Sequence, residues 1–285
     1  MYKSLSAGMI GVKLEGFEAN LAAAKKYGYG AVSYGPGALE AEGIDAFKAL
    51  DLMGKYGVII SDFGLPVNIT SWGAFNDSFA ALEKTARAAA ALGIRRSCTW
   101  MLSFSDDYEY AENFKFRTKM FRLIAEVLNA YGILFGIEFL GPVPLLNSAK
   151  YKFIHTLPQM LELCDAVGTG NAGVLLDAHH CYCSGMRGAE FKKYIRNEKD
   201  IVLVHLNDDY KDKPIDEIHD SPRFYPGEPG GGGNDLPGFL GALVELGYTG
   251  PVVMEPFSEA LKAIGCNDEK LRIVAEATDS VWPQI

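Results

Sequence analysis

Three shortages mark this chain. Cysteine occurs only five times, an odd number at irregular spacing, so no disulfide framework is expected. No apolar run approaches the length needed to cross a bilayer. The opening MYKSLSAGMIGVKLEG has no basic segment leading into a long apolar core, so a cytoplasmic location without a membrane anchor is expected. Positive charge is in deficit: 27 Lys and Arg against 36 Asp and Glu give a formal charge of −9 and a pI of about 5.1. A nucleic-acid binder needs a cationic face, so the acidic total argues against that role. Also missing is a G-x-G-x-x-G turn after the first strand, which counts against an open, doubly wound nucleotide-binding sheet.

What is present is ordinary globular composition, 48% hydrophobic and 22% charged, with 31 glycines and 13 prolines spread along the chain. That excludes a disordered, collagenous or coiled-coil protein. A chain of 285 residues buries about three-quarters of its extended surface and needs no structural metal to stay folded. Short apolar runs alternate with longer amphipathic segments. The runs predict strands at Leu5–Ile10, Ala31–Tyr34, Val58–Asp62, Arg96–Met101, Leu134–Phe139, Gly173–Asp177, Ile201–Leu206 and Val252–Glu255. Their continuous apolar character suits a parallel sheet covered on both faces. Between them, Phe75, Phe79, Leu82, Ala86 and Ala89 fall on one helical stripe, as do Met120, Phe121, Ile124, Val127, Leu128 and Tyr131. Glycine closes several helical segments, as in KKYGYG, GKYGV, AALGI, NAYGI and VELGY. Eight strand–helix units of about 36 residues predict an α/β fold of one closed (β/α)8 barrel, spanning 1–285 as a single domain without a linker.

Barrels of this kind carry their chemistry at the carboxyl ends of the strands. Those ends read Trp100 in SCTWML, Glu138 in FGIEFLGP, Asp177 in VLLDAHH, His205 in VLVHLND and Glu255 in VVMEPF. The first three strands offer only Asp62 in comparable placement. A single strand-end carboxylate is more often a helix cap or loop anchor. Four ionisable groups on successive strands are harder to explain so, because three carboxylates in one barrel mouth repel each other. A divalent cation with His205 as neutral ligand resolves the conflict. An oxygen-rich set with one nitrogen suits Mn2+ best, with Mg2+, Co2+ or Zn2+ as alternatives.

The segments IEFLGP, LLDAHHCY, VHLNDDYKDKPIDEIHDSPRFYPGE and LGYTGPVVMEPF resemble the xylose isomerase-like TIM-barrel superfamily of sugar-phosphate isomerases and epimerases, most strongly over residues 133–257. The resemblance implies that Glu138, Asp177, His205 and Glu255 ligate the metal and that His180 and Arg223 bind substrate oxygens. It also implies that Glu138 and Glu255 form the acid/base pair. The expected activity is isomerisation or epimerisation of a ketose or inosose-type keto-sugar through an ene-diolate. The alternative on the same scaffold is an inosose-type dehydratase. An apurinic endonuclease would require histidines from the early strands, and no histidine precedes His155. A binding-only barrel would have no use for opposed carboxylates. Dimers or tetramers fit the family, and the expected partner is a small-molecule keto-sugar rather than a nucleic acid or membrane.

Other candidates carry less. Arg223 either anchors a substrate group or pairs with Asp216, Glu217 or Asp220 in its own loop. His179 points away from the site, His219 is solvated and His155 lies on the surface. Trp72, Trp100 and Phe104 form an aromatic wall for a sugar ring or pack in the core, with Trp100 best placed to touch substrate. Cys181 and Cys183 make a C-x-C that is weak evidence for thiolate ligation. The stretch Asn207–Asn234 is too long for a plain connection and reads as a lid. Its PGEPGGGG run departs from the tighter turn of the family.

Overall fold

The computed structural model describes residues 1–284. Eight parallel strands close into a barrel: β1 Tyr2–Leu5, β2 Ala31–Ser33, β3 Ile59–Gly64, β4 Arg96–Met101, β5 Leu134–Phe139, β6 Ala172–Asp177, β7 Ile201–Leu206 and β8 Pro251–Met254. Each strand pairs with its neighbours in sequence, and β8 closes on β1 through Tyr2–Pro251, Lys3–Val252 and Ser4–Val253. The principal outer helices are α1 Gly16–Lys26, α2 Ala46–Tyr56, α3 Leu82–Ala91, α4 Tyr110–Ala130, α5 Leu157–Val167, α6 Ala178–Cys183, α7 Leu236–Glu245 and α8 Asn267–Val281. The architecture is the expected (β/α)8 barrel. Apolar strands make it so: β7 and β8 are buried along their whole length, one face toward the barrel interior and the other under helices.

The stripe Met120, Phe121, Ile124 and Leu128 on α4 is fully buried against the sheet, with Val127 and Tyr131 packing at its edge. The glycines expected to close helical segments, Gly28, Gly57, Gly93, Gly132 and Gly247, all take positive φ. None of the described helices is long and apolar enough to cross a membrane.

Two expectations fail locally. The first strand is Tyr2–Leu5, not Leu5–Ile10, and Ala7–Ile10 is a 3-10 turn closed by Gly11 at φ +66°. Met9 and Ile10 are apolar because they pack on the barrel, not because they pair in it. The stripe from Phe75 to Ala89 is split between a short helix, Trp72–Phe79, and α3, with Ala80 and Ala81 at the break.

Strand register sets the site. Trp100 stands opposite Glu138 across β4 and β5, Asp177 opposite His205 across β6 and β7, and Val253 opposite His205 across β7 and β8. Glu255 follows β8 directly, its N–H donating to the carbonyl of Leu206 at 3.0 Å. Four ionisable side chains therefore end adjacent strands at nearly one level.

Candidate metal centre

Glu138, Asp177, His205 and Glu255 are all buried, and one ligand atom from each lies within 4.8 Å of the others. His205 Nδ1 is 3.1 Å from Glu255 Oε2, 3.3 Å from Glu138 Oε1 and 3.7 Å from Asp177 Oδ2. Yet neither His205 Nδ1 nor Glu138 Oε1 makes an aligned hydrogen bond. A buried polar atom left without a partner costs about 1–3 kcal/mol. Two such atoms, converging with two further carboxylates, fit a divalent cation shared among them. Three oxygens and one imidazole nitrogen form the donor set of Mn2+, Mg2+, Co2+ or Zn2+ chemistry.

The charges are tightly coupled. Burial pushes the Glu138 carboxyl up to about 8. Burial alone would lower His205, but the charge on Glu255 and the contacts with Asp177 and Glu138 outweigh it and hold the imidazole well above its ordinary value. Burial would raise Asp177, but the Arg223 guanidinium, with His180 and His205, holds it well below the usual carboxylate range.

The structure shows that Asp177 is both cap and cluster member. Its Oδ1 accepts from the N–H groups of His179 (2.7 Å) and His180 (3.2 Å) at the start of α6, while Oδ2 faces the cluster. Arg223, 3% exposed, is paired within its own loop, as one of the two readings had it: Nη2 pairs with Asp220 at 2.9 Å, while Nη1 reaches Asp177 Oδ2 at 2.9 Å and Glu255 Oε2 at 2.6 Å. Its guanidinium lies over the ring of Phe257, 4.9 Å from the centroid. Phe257 itself has a positive φ of 44°, unusual for a side chain of that size.

His180 is fully buried beside this group, and burial keeps its ring neutral, with a pKa well below the ordinary value. Its Nδ1 accepts the N–H of Gly141 at 3.3 Å, while Nε2 lies 3.4 Å from Arg223 Nη2 and 3.7 Å from Asp220. Gly141 has no room for a side chain: a Cβ there would stand 2.3 Å from the His180 carbonyl oxygen.

Three polar neighbours escaped the sequence reading. Asn207 donates through Nδ2 to both Asp177 oxygens at 3.2 Å. Asp209 Oδ1 accepts from His179 Nδ1 at 2.6 Å, so His179 turns from the cluster into a buried pair of its own. Asp208 gathers the backbone N–H groups of Asp209 (2.8 Å), Gly232 (2.8 Å) and Asn234 (3.2 Å), which hangs the glycine-rich end of the 207–234 stretch from the end of β7. Their only sequence signal was the polar run NDD after a buried strand. Asp62, inside the barrel on β3, accepts from Ser33 and Ser61 and is held above its usual pKa by burial.

Of the three aromatics expected to form a wall, Trp100 alone is exposed. Trp100 is 57% exposed at the mouth, whereas Trp72 packs edge-on against Phe75 and Phe116, and Phe104 belongs to a small antiparallel strand pair with Lys152. Both of these rings are half-buried. Cys181 and Cys183 are buried, with thiol pKa values raised by burial, and the Cys183 sulfur lies 3.6–3.8 Å from His179. His155 is half-buried and His219 exposed.

A closed parallel barrel with a buried oxygen-rich cluster at the carboxyl ends of β5 to β8 defines a class: a TIM barrel with a candidate metal site at its mouth. The chain belongs to the xylose isomerase-like TIM barrel family, whose model matches residues 21–279. It is similar to an inosose isomerase of Bacillus velezensis, 27% identical over 158 residues, which cover 55% of this chain and 51% of that one. The chain thus spans about half the length of the curated relatives it matches. Among solved structures, a xylose isomerase domain protein from Alicyclobacillus acidocaldarius superposes with a TM-score of 0.83 at 26% identity, covering 99% of this chain and 98% of that one. The IOLI protein, solved with a bound zinc atom, superposes with a TM-score of 0.79 at 20% identity over 99% and 98% of the two chains.

Proposed function

We propose that this chain is a divalent-metal-dependent isomerase or epimerase of keto-sugars, of the ketose or inosose type. The observation that carries the reading is the convergence of two carboxylates from separate strands on one buried point. Glu138 and Glu255 come from β5 and from the residue after β8, with two strands between them, and both reach within 3.3 Å of His205 Nδ1. The match to inosose isomerases supports the substrate class.

Glu138, Asp177, His205 and Glu255 would hold the cation, Mn2+ best among those the donor set suits. When bound, it supplies positive charge that polarises a ketone and acidifies the adjoining C–H. One glutamate then removes that proton from one face of the substrate, leaving an ene-diolate. The other returns a proton to the opposite face, which inverts the stereocentre. His180 and Arg223, at the rim of the cluster, bind substrate hydroxyls, and the exposed face of Trp100 packs on the sugar ring.

The test is an NMR assay in D2O of Mn2+-loaded protein with a keto-inositol and a panel of ketoses. Deuterium entering beside the carbonyl, without loss of water and abolished by a chelator, is the expected result. A new enone absorbance in place of simple exchange assigns the dehydratase reaction instead. Metal binding without exchange on any substrate overturns both.

A further inference from the structure

We infer that the keto-sugar carries an anionic group, phosphate or carboxylate, received by Arg117 in a cleft beside Trp100. The inference rests on the proposed function and deepens it. After β3 the chain runs through residues 67–70, and with the end of β4 and one turn of α4 it encloses a solvent-open cleft of about 270 Å³. The polar lining is Asn68, Thr70, Thr99, Trp100 and Arg117; the remaining lining residues are apolar and none is acidic.

In a chain with nine excess negative charges, a cleft whose one charged group is a cation is a selective feature. Arg196, Arg223 and Arg272 each face carboxylates. Arg117 faces none among the described residues. Its Nη1 donates to the carbonyl of Ile69, its ring-side neighbour is Phe116 at 5.1 Å, and its Nε is buried without any partner. Burial without a counter-charge lowers its pKa to about 10. An incoming anion removes that penalty, and the planar guanidinium fork matches the oxygens of phosphate or carboxylate. Asn68 is set to assist: its carboxamide oxygen is occupied by the N–H and hydroxyl of Thr70, which leaves the Nδ2 hydrogens for a ligand.

Position links this cleft to the metal cluster. Trp100 lines the cleft and also stands in register with Glu138 on the adjoining strand, about 4.8 Å away across the sheet. A ligand lying over Trp100 therefore has its reacting carbons at Glu138 and its far end at Arg117.

The experiment measures calorimetric affinities of Mn2+-loaded wild type, Arg117→Gln and Arg117→Lys for D-fructose 6-phosphate, 5-keto-D-gluconate and D-fructose. The expected result is a preference of about tenfold or more for one anionic probe over D-fructose in the wild type. Arg117→Gln loses that preference while keeping its affinity for D-fructose, and Arg117→Lys keeps part of it. The phosphate and carboxylate arms identify which anion is meant. Wild type that binds D-fructose as tightly as both anions overturns the inference, whether or not the glutamine variant folds. So does a glutamine variant that retains the preference, because Arg117 would then serve only to tie α4 to Ile69. Deuterium exchange on a neutral ketose without anion preference sinks the cleft and leaves the reaction standing. Anion preference without exchange on any substrate does the reverse.

Discussion

The acid/base role proposed for two of the four cluster residues can be tested by replacing one atom in each. Glu138→Gln and Glu255→Gln keep the shape and an oxygen near the cluster but cannot accept a proton. Each is expected to lower turnover about 10²–10⁴-fold, and a variant with a near wild-type rate removes that residue from the acid/base pair. Titration offers a second test at this scale. In the metal-free protein burial holds a proton on Glu138 up to about 8, and the surrounding carboxylates hold one on His205 beyond its ordinary range. Ligation requires both to be deprotonated. Binding of Mn2+ at pH 7 is therefore expected to release protons, read as a dependence of the calorimetric enthalpy on the ionisation enthalpy of the buffer. Identical enthalpies in all buffers contradict the assignment.

At the scale of elements, the loop after β5 and the helix after β6 touch at Gly141, and the contact allows no side chain. Gly141→Ala forces the His180 carbonyl away and drags with it an imidazole hydrogen-bonded to the same residue. The expected cost is about 1–3 kcal/mol in denaturant unfolding, together with a rise in KM if His180 holds substrate. An unchanged midpoint shows that the helix simply moves aside. Elements also mark how far the sequence could be read. The strand-end cluster was legible because an ionisable residue after a fully apolar run has few structural excuses. Asn207 and Asp209 were not, because they follow β7 within a polar run whose members look alike until the turn of the chain separates them. Met9 and Ile10 were misread as strand because apolar character reports burial, not pairing. Trp72 and Trp100 both entered the expected aromatic wall, Trp100 as the better placed; the packing of Phe75 and Phe116 against Trp72 is what separates them. The dual contacts of Arg223 were invisible as well, since they span 32 and 46 residues of chain.

At the scale of the molecule, the cluster makes stability depend on pH. In the unfolded chain Glu138 loses its proton near 4.5 and His205 near 6.5, whereas the folded, metal-free barrel holds both protons to higher pH. The folded state thus binds more protons between about 4.5 and 8, so its stability falls as pH rises through that window. Asp177 acts in the opposite sense, and its contribution is lost only as pH falls below the ordinary carboxylate range. His180, kept neutral by burial, works the other way below about 6.5, so thermal scans of chelator-treated protein are expected to show a melting temperature that declines from pH 6.5 to 8, and added Mn2+ is expected to reverse the decline. A metal-free melting temperature that climbs over the same range contradicts the charge states assigned to the barrel mouth. Arg223 limits how steep this decline becomes. Wedged against Asp177 and Glu255, its guanidinium is a resident countercharge, a permanent placeholder that no chelator can strip away. A barrel with that charge in place is expected to stand without a cation, so that loading would be a reversible exchange at a standing scaffold rather than a condition for having one.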